Sequence, residues 1–234
     1  MNARLWVVAL AVSSCMELSL PQPPPPPGPG TLQGTLVHQV PGRVTSEPSK
    51  GALITLLDSS SSVTADAEGR FVLGGITSTR GLVRMSIDLD RDGVPDRQRL
   101  LSLQAIGAGP GRDLALGEVT LGRNARVTGR ALRSDLTGDA FHLGTTVFVA
   151  GMEFNTFTSD NGAFTLDTLP EGPLQVTFFR PNYLPETRDV VLGAGEEKRL
   201  ADVMLIARPS EAATVTGLVV SAEGPLEGAM VKAA

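Results

Sequence analysis

Ala65-Asp66-Ala67-Glu68-Gly69-Arg70-Phe71-Val72-Leu73 and Thr158-Ser159-Asp160-Asn161-Gly162-Ala163-Phe164-Thr165-Leu166 decide how this chain folds. They lie 93 residues apart and repeat one pattern: a polar turn closed by glycine, then a strand with Phe and Leu at alternate positions. Self-similarity at a fixed pitch is the mark of tandem small domains. Gly69 and Gly162 predict tight hairpin turns with positive φ, a conformation only glycine takes without strain. Asp66 and Ser159 are placed to bond backbone N–H groups inside those turns. Phe71, Leu73, Phe164 and Leu166 would fill a sheet core, because alternate side chains of a strand share one face.

Outward from these turns, short apolar alternations are separated by Gly, Pro, Asp and Ser. The first unit predicts strands at 31–38, 52–58, 62–65, 70–76, 82–88, 97–104 and 113–121, with no helical stripe. The second repeats the order at 126–133, 145–150, 153–158, 163–167, 174–179, 187–192 and 199–205. Seven short strands in such a length describe a β-sandwich. A third start, Val215-Thr216-Gly217 followed by Gly228-Ala229-Met230-Val231, breaks off at Ala234, so the sequence reads as the front of a longer protein or a shortened gene product.

The order V-x-G, G-A/T-x-V, [DS]-x-x-G-x-F-x-L and Leu-Pro-x-Gly resembles the carboxypeptidase regulatory-like domain, a transthyretin-like sandwich. The matching residues are Gly34, Gly51, Asp66, Gly69, Phe71 and Leu73 in the first copy. In the second they are Gly129, Gly144, Ser159, Gly162, Phe164, Leu166, Leu169, Pro170 and Gly172. The first copy departs at the end, with Gly74-Gly75-Ile76-Thr77 in place of Leu-Pro-x-Gly. The resemblance implies an all-β fold of tandem transthyretin-like seven-stranded β-sandwich domains. It speaks for turns and core positions and names no activity.

The N-terminus places the protein. Arg4 and the amino group form a positive start, and Leu5 to Val12 is an apolar run of eight residues. That is short of the roughly 20 a bilayer crossing needs and suits a secretory signal. Val12-Ser13-Ser14-Cys15 resembles a bacterial lipobox, and Cys15 is the chain's single cysteine. Lipidation of its thiol explains an otherwise unpaired cysteine in an exported chain, and the acyl chains hold it at a membrane. Met16 in place of Asp favours the outer membrane in a Gram-negative source. Pro21 to Gly30 holds seven of the next residues as proline, an extended polyproline II tether. The expected order is a signal peptide 1–14, lipidated Cys and linker 15–30, sandwiches 31–122 and 123–208, and an incomplete repeat 209–234.

A net charge of -5 supplies no basic footprint for nucleic acid. The chain holds two histidines, His38 and His142, neither in an H-x-x-E pair, and it lacks the nucleophile elbow and P-loop, so the reading is non-catalytic. Glu171, Glu186 and Asp189 read as solvated loop carboxylates. The sharpest constellation is Asp88-Leu89-Asp90-Arg91-Asp92-Gly93-Val94-Pro95-Asp96. Asp88, Asp90, Asp92 and Asp96 at positions 1, 3, 5 and 9, with Gly93 at 6, resemble the start of a calcium loop. Position 12 is Arg99 rather than a bidentate acid, and a solvated hairpin eased by Arg91, Arg97 and Arg99 is the competing reading. Partners are a membrane through the lipid anchor and an envelope protein or glycan. Against a glycan module, Trp6 leaves with the signal, Tyr183 stands alone, and strand phenylalanines read as core. The sequence therefore describes a lipid-anchored envelope protein displaying spacer or interaction modules. Its alternatives are a carbohydrate-binding module and the N-terminal part of a longer surface enzyme.

Overall fold

The computed structural model describes residues 25–40, 42–59, 61–137, 141–209, 220–221 and 224–225. The fold is all-β, and two separate apolar cores organise it. The first is wrapped by β1 (Gly30–Gln39), β2 (Ser46–Pro48), β3 (Leu53–Leu56), β4 (Ser62–Thr64), β5 (Arg70–Ile76), β6 (Leu82–Ile87), β7 (Arg97–Ser102), the helical turn α1 (Leu103–Ile106) and β8 (Asp113–Arg123). One layer carries β5, β1 and β8, the other β4, β3, β6 and β7. The long β8 joins the layers, lying parallel to β1 from Thr31 to His38 and antiparallel to β7 at Arg97 and Gln98. Leu32, Leu36, Phe71 and Leu73 from one layer meet Ile54, Leu56, Val83 and Met85 from the other.

The second core is wrapped by β9 (Ala125–Arg133), β10 (Thr146–Val149), β11 (Asn155–Phe157), β12 (Ala163–Leu169), β13 (Gly172–Phe179), β14 (Glu186–Leu192), β15 (Glu197–Arg199) and β16 (Val203–Leu205). Its layers are β11-β10-β13-β14 and β12-β9, with β15 and β16 both parallel to β9. This is the pairing order of the first unit: β9 sits between β12 and a parallel partner as β1 sits between β5 and β8. Phe164 and Phe178 meet edge-on across the core, their centroids 5.3 Å apart at 74°, a favoured geometry for aromatic quadrupoles.

The repeated turn is not a hairpin. β4 pairs with β3, whereas β5 pairs with β1, so Ala65–Gly69 carries the chain from one layer to the other. Residues 158–162 do the same between β11 and β12. The glycines have φ of 78° at Gly69 and 80° at Gly162. Close approach demands them as well: a Cβ on Gly69 would stand 2.3 Å from the Leu36 carbonyl oxygen, and one on Gly162 2.6 Å from that of Ala131. Asp66 Oδ1 accepts the N–H groups of Glu68 and Arg70 at 3.0 and 2.7 Å. In the crossover between β11 and β12 Asn161 takes that role, accepting from the Ala163 N–H at 3.0 Å. Ser159 instead donates its hydroxyl to the Asn161 side chain and the Ala163 carbonyl.

Three elements depart from the sequence reading. The strand expected over 97–104 stops at Ser102, whose hydroxyl accepts the Ala105 N–H and caps α1, while Gly107 ends the turn at φ 76°. β2 is an unforeseen edge strand on β1. The strand expected over 199–205 breaks at Leu200, leaving β15 and β16 in succession along β9. Within 209–234, the segment expected to be an incomplete repeat, β17 (Val220–Ser221) pairs with β18 (Gly224–Pro225). Cys15, the first prolines and the other motifs of 209–234 lie outside the described residues. No helix among the described residues is long and apolar enough to cross a membrane.

Candidate functional site

Between β6 and β7 the acidic loop curls so that carboxylate oxygens of Asp88, Asp90 and Asp96 all lie within 4.8 Å of one another. Ligands at about 2.3–2.6 Å on opposite sides of one calcium ion span such a separation. Asp92 is not in this trio; its Oδ1 accepts the Val94 N–H at 2.7 Å. Asp88 accepts the Arg91 and Gly93 N–H groups at 2.7 and 2.9 Å, and Asp96 accepts the Leu89 N–H at 2.7 Å. Desolvation acts to raise the Asp88 carboxyl, but the backbone donors Gly93, Arg91 and Asp92 outweigh it and hold it below the usual range. At Asp90 the Asp92 N–H lowers the carboxyl, yet desolvation and the charges of Asp92, Asp96 and Asp88 together push it up. Backbone N–H groups, not arginines, thus ease the charge. Among the described residues Arg91, Arg97 and Arg99 make no ion pair with these four acids.

Arg99 turns instead to the junction between the two sandwiches, which the sequence did not reveal, while Arg97 Nη1 donates to the Asp96 carbonyl at 3.0 Å. The Leu100 N–H donates to the Glu171 carbonyl at 2.7 Å, and Arg99 and Glu171 form a parallel bridge. Arg99 Nη1 stands 3.0 Å from Glu171 Oε1. Leu100 is fully buried among the side chains of the second core, although it belongs to β7 of the first unit. Gln98, also buried, donates from Nε2 to the Thr168 carbonyl at 2.8 Å and to Asn124 at 3.1 Å. A further ion pair, Arg84 to Glu153 at 2.6 Å, spans the same units. Glu171 is therefore a docked residue rather than a solvated one, and burial pushes its carboxyl above the ordinary glutamate range against the pull of Arg99. Gly172 must be small here, since a Cβ would lie 2.4 Å from the Leu100 carbonyl oxygen. The Leu-Pro-x-Gly signature gave the sole sequence clue to this contact. The other two carboxylates are also engaged, Glu186 with Arg188 and Asp189 with Gln175.

Both histidines are buried in structural hydrogen bonds. His38 Nδ1 meets Ser49 Oγ at 3.1 Å, and burial holds its pKa down. His142 Nδ1 accepts the Arg133 N–H at 3.0 Å. Tyr183 is 5% exposed, its hydroxyl donating to Asp135 at 2.7 Å, and so offers no open ring. The phenylalanines divide. Phe71, Phe164 and Phe178 are core, but Phe157 and Phe179 are 63% and 44% exposed. Both are opposite Thr146, so with half-buried Phe148 they share the outer face of the β11-β10-β13 sheet.

Residues 118–205 match the family model of the carboxypeptidase regulatory-like domain. The matched segment takes in the end of β8 and all of β9 to β16, and therefore Glu171 and its junction. No curated protein sequence matches the chain. Among solved structures, a chain of a type II cohesin–X-dockerin complex from Acetivibrio cellulolyticus is similar at 24% identity and a TM-score of 0.32; the alignment covers 36% of this chain and 58% of that one. A minor pilin of Streptococcus agalactiae is 9% identical over 80% of this chain and 100% of its own, with a TM-score of 0.39. The shaft pilin SpaA of Lactobacillus rhamnosus GG is 10% identical over 76% and 98%, with a TM-score of 0.29.

Proposed function

We propose that this chain is a non-catalytic, lipid-anchored cell-envelope protein that displays two docked β-sandwiches, tandem copies of one domain, as a spacer and interaction module. The observation that carries the reading is the Leu100–Glu171 junction. Domains on a simple linker move freely unless their interface is apolar and extensive. Here a backbone hydrogen bond, a shared core residue and two ion pairs tie one unit to the next, which is what a spacer holding a partner away from a surface requires. The anchor rests on Val12-Ser13-Ser14-Cys15, with the prolines behind it as tether; the outer membrane is its site if the source is Gram-negative. In the same reading the loop takes calcium on Asp88, Asp90 and Asp96, with Asp92 ordering the turn. Metabolic labelling with a fatty acid tests the anchor. Label on the mature protein, lost in Cys15→Ala together with detergent-phase partitioning, is expected; labelling unchanged in the variant would end this reading.

A second reading is glycan binding on the second sandwich. The aromatic row Phe157, Phe148 and Phe179 favours it, because apolar rings beside Thr146, Thr177 and Asn155 combine stacking area with hydrogen-bonding groups. Retardation of the full chain in gels containing polysaccharide, lost in Phe157→Ala/Phe179→Ala, would establish it.

A further inference from the structure

Where β7 and β8 leave the first core and meet the second sandwich, a cleft of about 570 Å³ opens, its charged lining formed by Arg43, Arg97, Arg99, Arg123 and Glu171, with Ala194 on the far wall. Four guanidiniums against one carboxylate is unexpected in a chain of net charge -5. Arg43 pairs with Glu47 and Arg99 with Glu171. Arg97 and Arg123 make no ion pair among the described residues. They stand directly opposite each other in the β7–β8 register, and Arg99 follows on the same face of β7 as Arg97. Like charges at opposed cross-strand positions oppose sheet formation, so this arrangement calls for a counter-anion. The volume falls within the range of small-molecule sites.

We propose that this cleft binds a phosphate-bearing small molecule, its dianionic oxygens held by Arg97 and Arg123. A guanidinium presents a planar fork that matches phosphate oxygens two at a time, and two guanidiniums without a carboxylate partner match the two charges of a phosphate dianion, Arg97 keeping one Nη1 hydrogen bond to the Asp96 carbonyl. Glu171, held by Arg99, closes one side and excludes a ligand that would crowd a second anion against it. Because the lining comes from both sandwiches, occupancy also strengthens their junction.

Isothermal titration and thermal unfolding of the full chain with inorganic phosphate, at ionic strength fixed by sodium chloride, test the assignment. Saturable binding and a phosphate-dependent rise in melting temperature are expected. Arg97→Ala and Arg123→Ala should each weaken binding about tenfold, while Arg112→Ala, outside the cleft, leaves it unchanged. Arg123 is exposed, so its variant keeps the fold and the measurement stays decisive. Glycerol phosphate in a parallel titration separates the sources: tighter binding assigns an esterified phosphate, weaker binding the free ion. A response reproduced by chloride alone, or one that survives in the Arg97→Ala/Arg123→Ala double variant, would overturn the proposal.

Discussion

Glu171 accepts the Leu100 N–H through its carbonyl at 2.7 Å and places its carboxylate beside the guanidinium of the preceding residue, Arg99. One residue of the second sandwich thereby extends a strand of the first and caps its charge. The side chain of Leu100 completes the bond by entering the second core.

Removal of that side chain is expected to cost more than a surface truncation. Leu100→Ala should destabilise the chain by about 2–5 kcal/mol, the range for burying and then deleting a leucine in a packed core. Chemical denaturation checks this, and a loss below about 0.5 kcal/mol would mean that Leu100 is not packed as described.

The charge at Glu171 gives a pH dependence of definite sign. Its folded pKa is raised, so its contribution to stability is complete below the unfolded glutamate value and is lost as pH rises through the folded one. Glu171→Gln mimics the protonated side chain at every pH. The melting temperature of the variant relative to the natural chain should therefore be highest at neutral pH and decline as both are acidified. A difference that stays flat with pH would show that Glu171 is solvated.

The crossover glycine gives a prediction on the second unit. At Gly162 a side chain meets both a φ of 80° and a carbonyl 2.6 Å away, whereas at Gly151, φ 75°, the space around a Cβ is open. Gly162→Val should cost about 1–3 kcal/mol from strain alone, and Gly162→Ala should be clearly worse than Gly151→Ala in urea denaturation. Equal losses would displace the crossover from residues 158–162.

For the acidic loop, calcium should bind in the weak extracellular range, about 10⁻⁴–10⁻³ M, because Arg99 replaces the bidentate acid. Calorimetric titration of the full chain should give a single site that Asp90→Asn abolishes. Heat that is the same in the variant would leave a charged turn held by its own backbone N–H groups.

The layers and cores were legible because a strand has a two-residue period: Phe71, Leu73, Phe164 and Leu166 are all buried as alternation requires. Local signals also located Gly69, Gly162 and the clustering of Asp88, Asp90 and Asp96. The partners of each strand were not legible. The turn before Phe71 reads as a hairpin, since sequence gives no sign that β4 and β5 belong to different layers. Glu171 reads as solvated for the same reason, as its partners Arg99 and Leu100 lie some seventy residues earlier. Phe157 and Phe179 read as core because alternation fixes which residues share a face and not which face is covered.

Differential scanning calorimetry of the full chain tests most directly whether the two sandwiches act as one coupled spacer. Coupling through Leu100 and Glu171 predicts one transition over the two sandwiches, with calorimetric and van't Hoff enthalpies in agreement. Two separate transitions, each with the enthalpy of one sandwich, would contradict it.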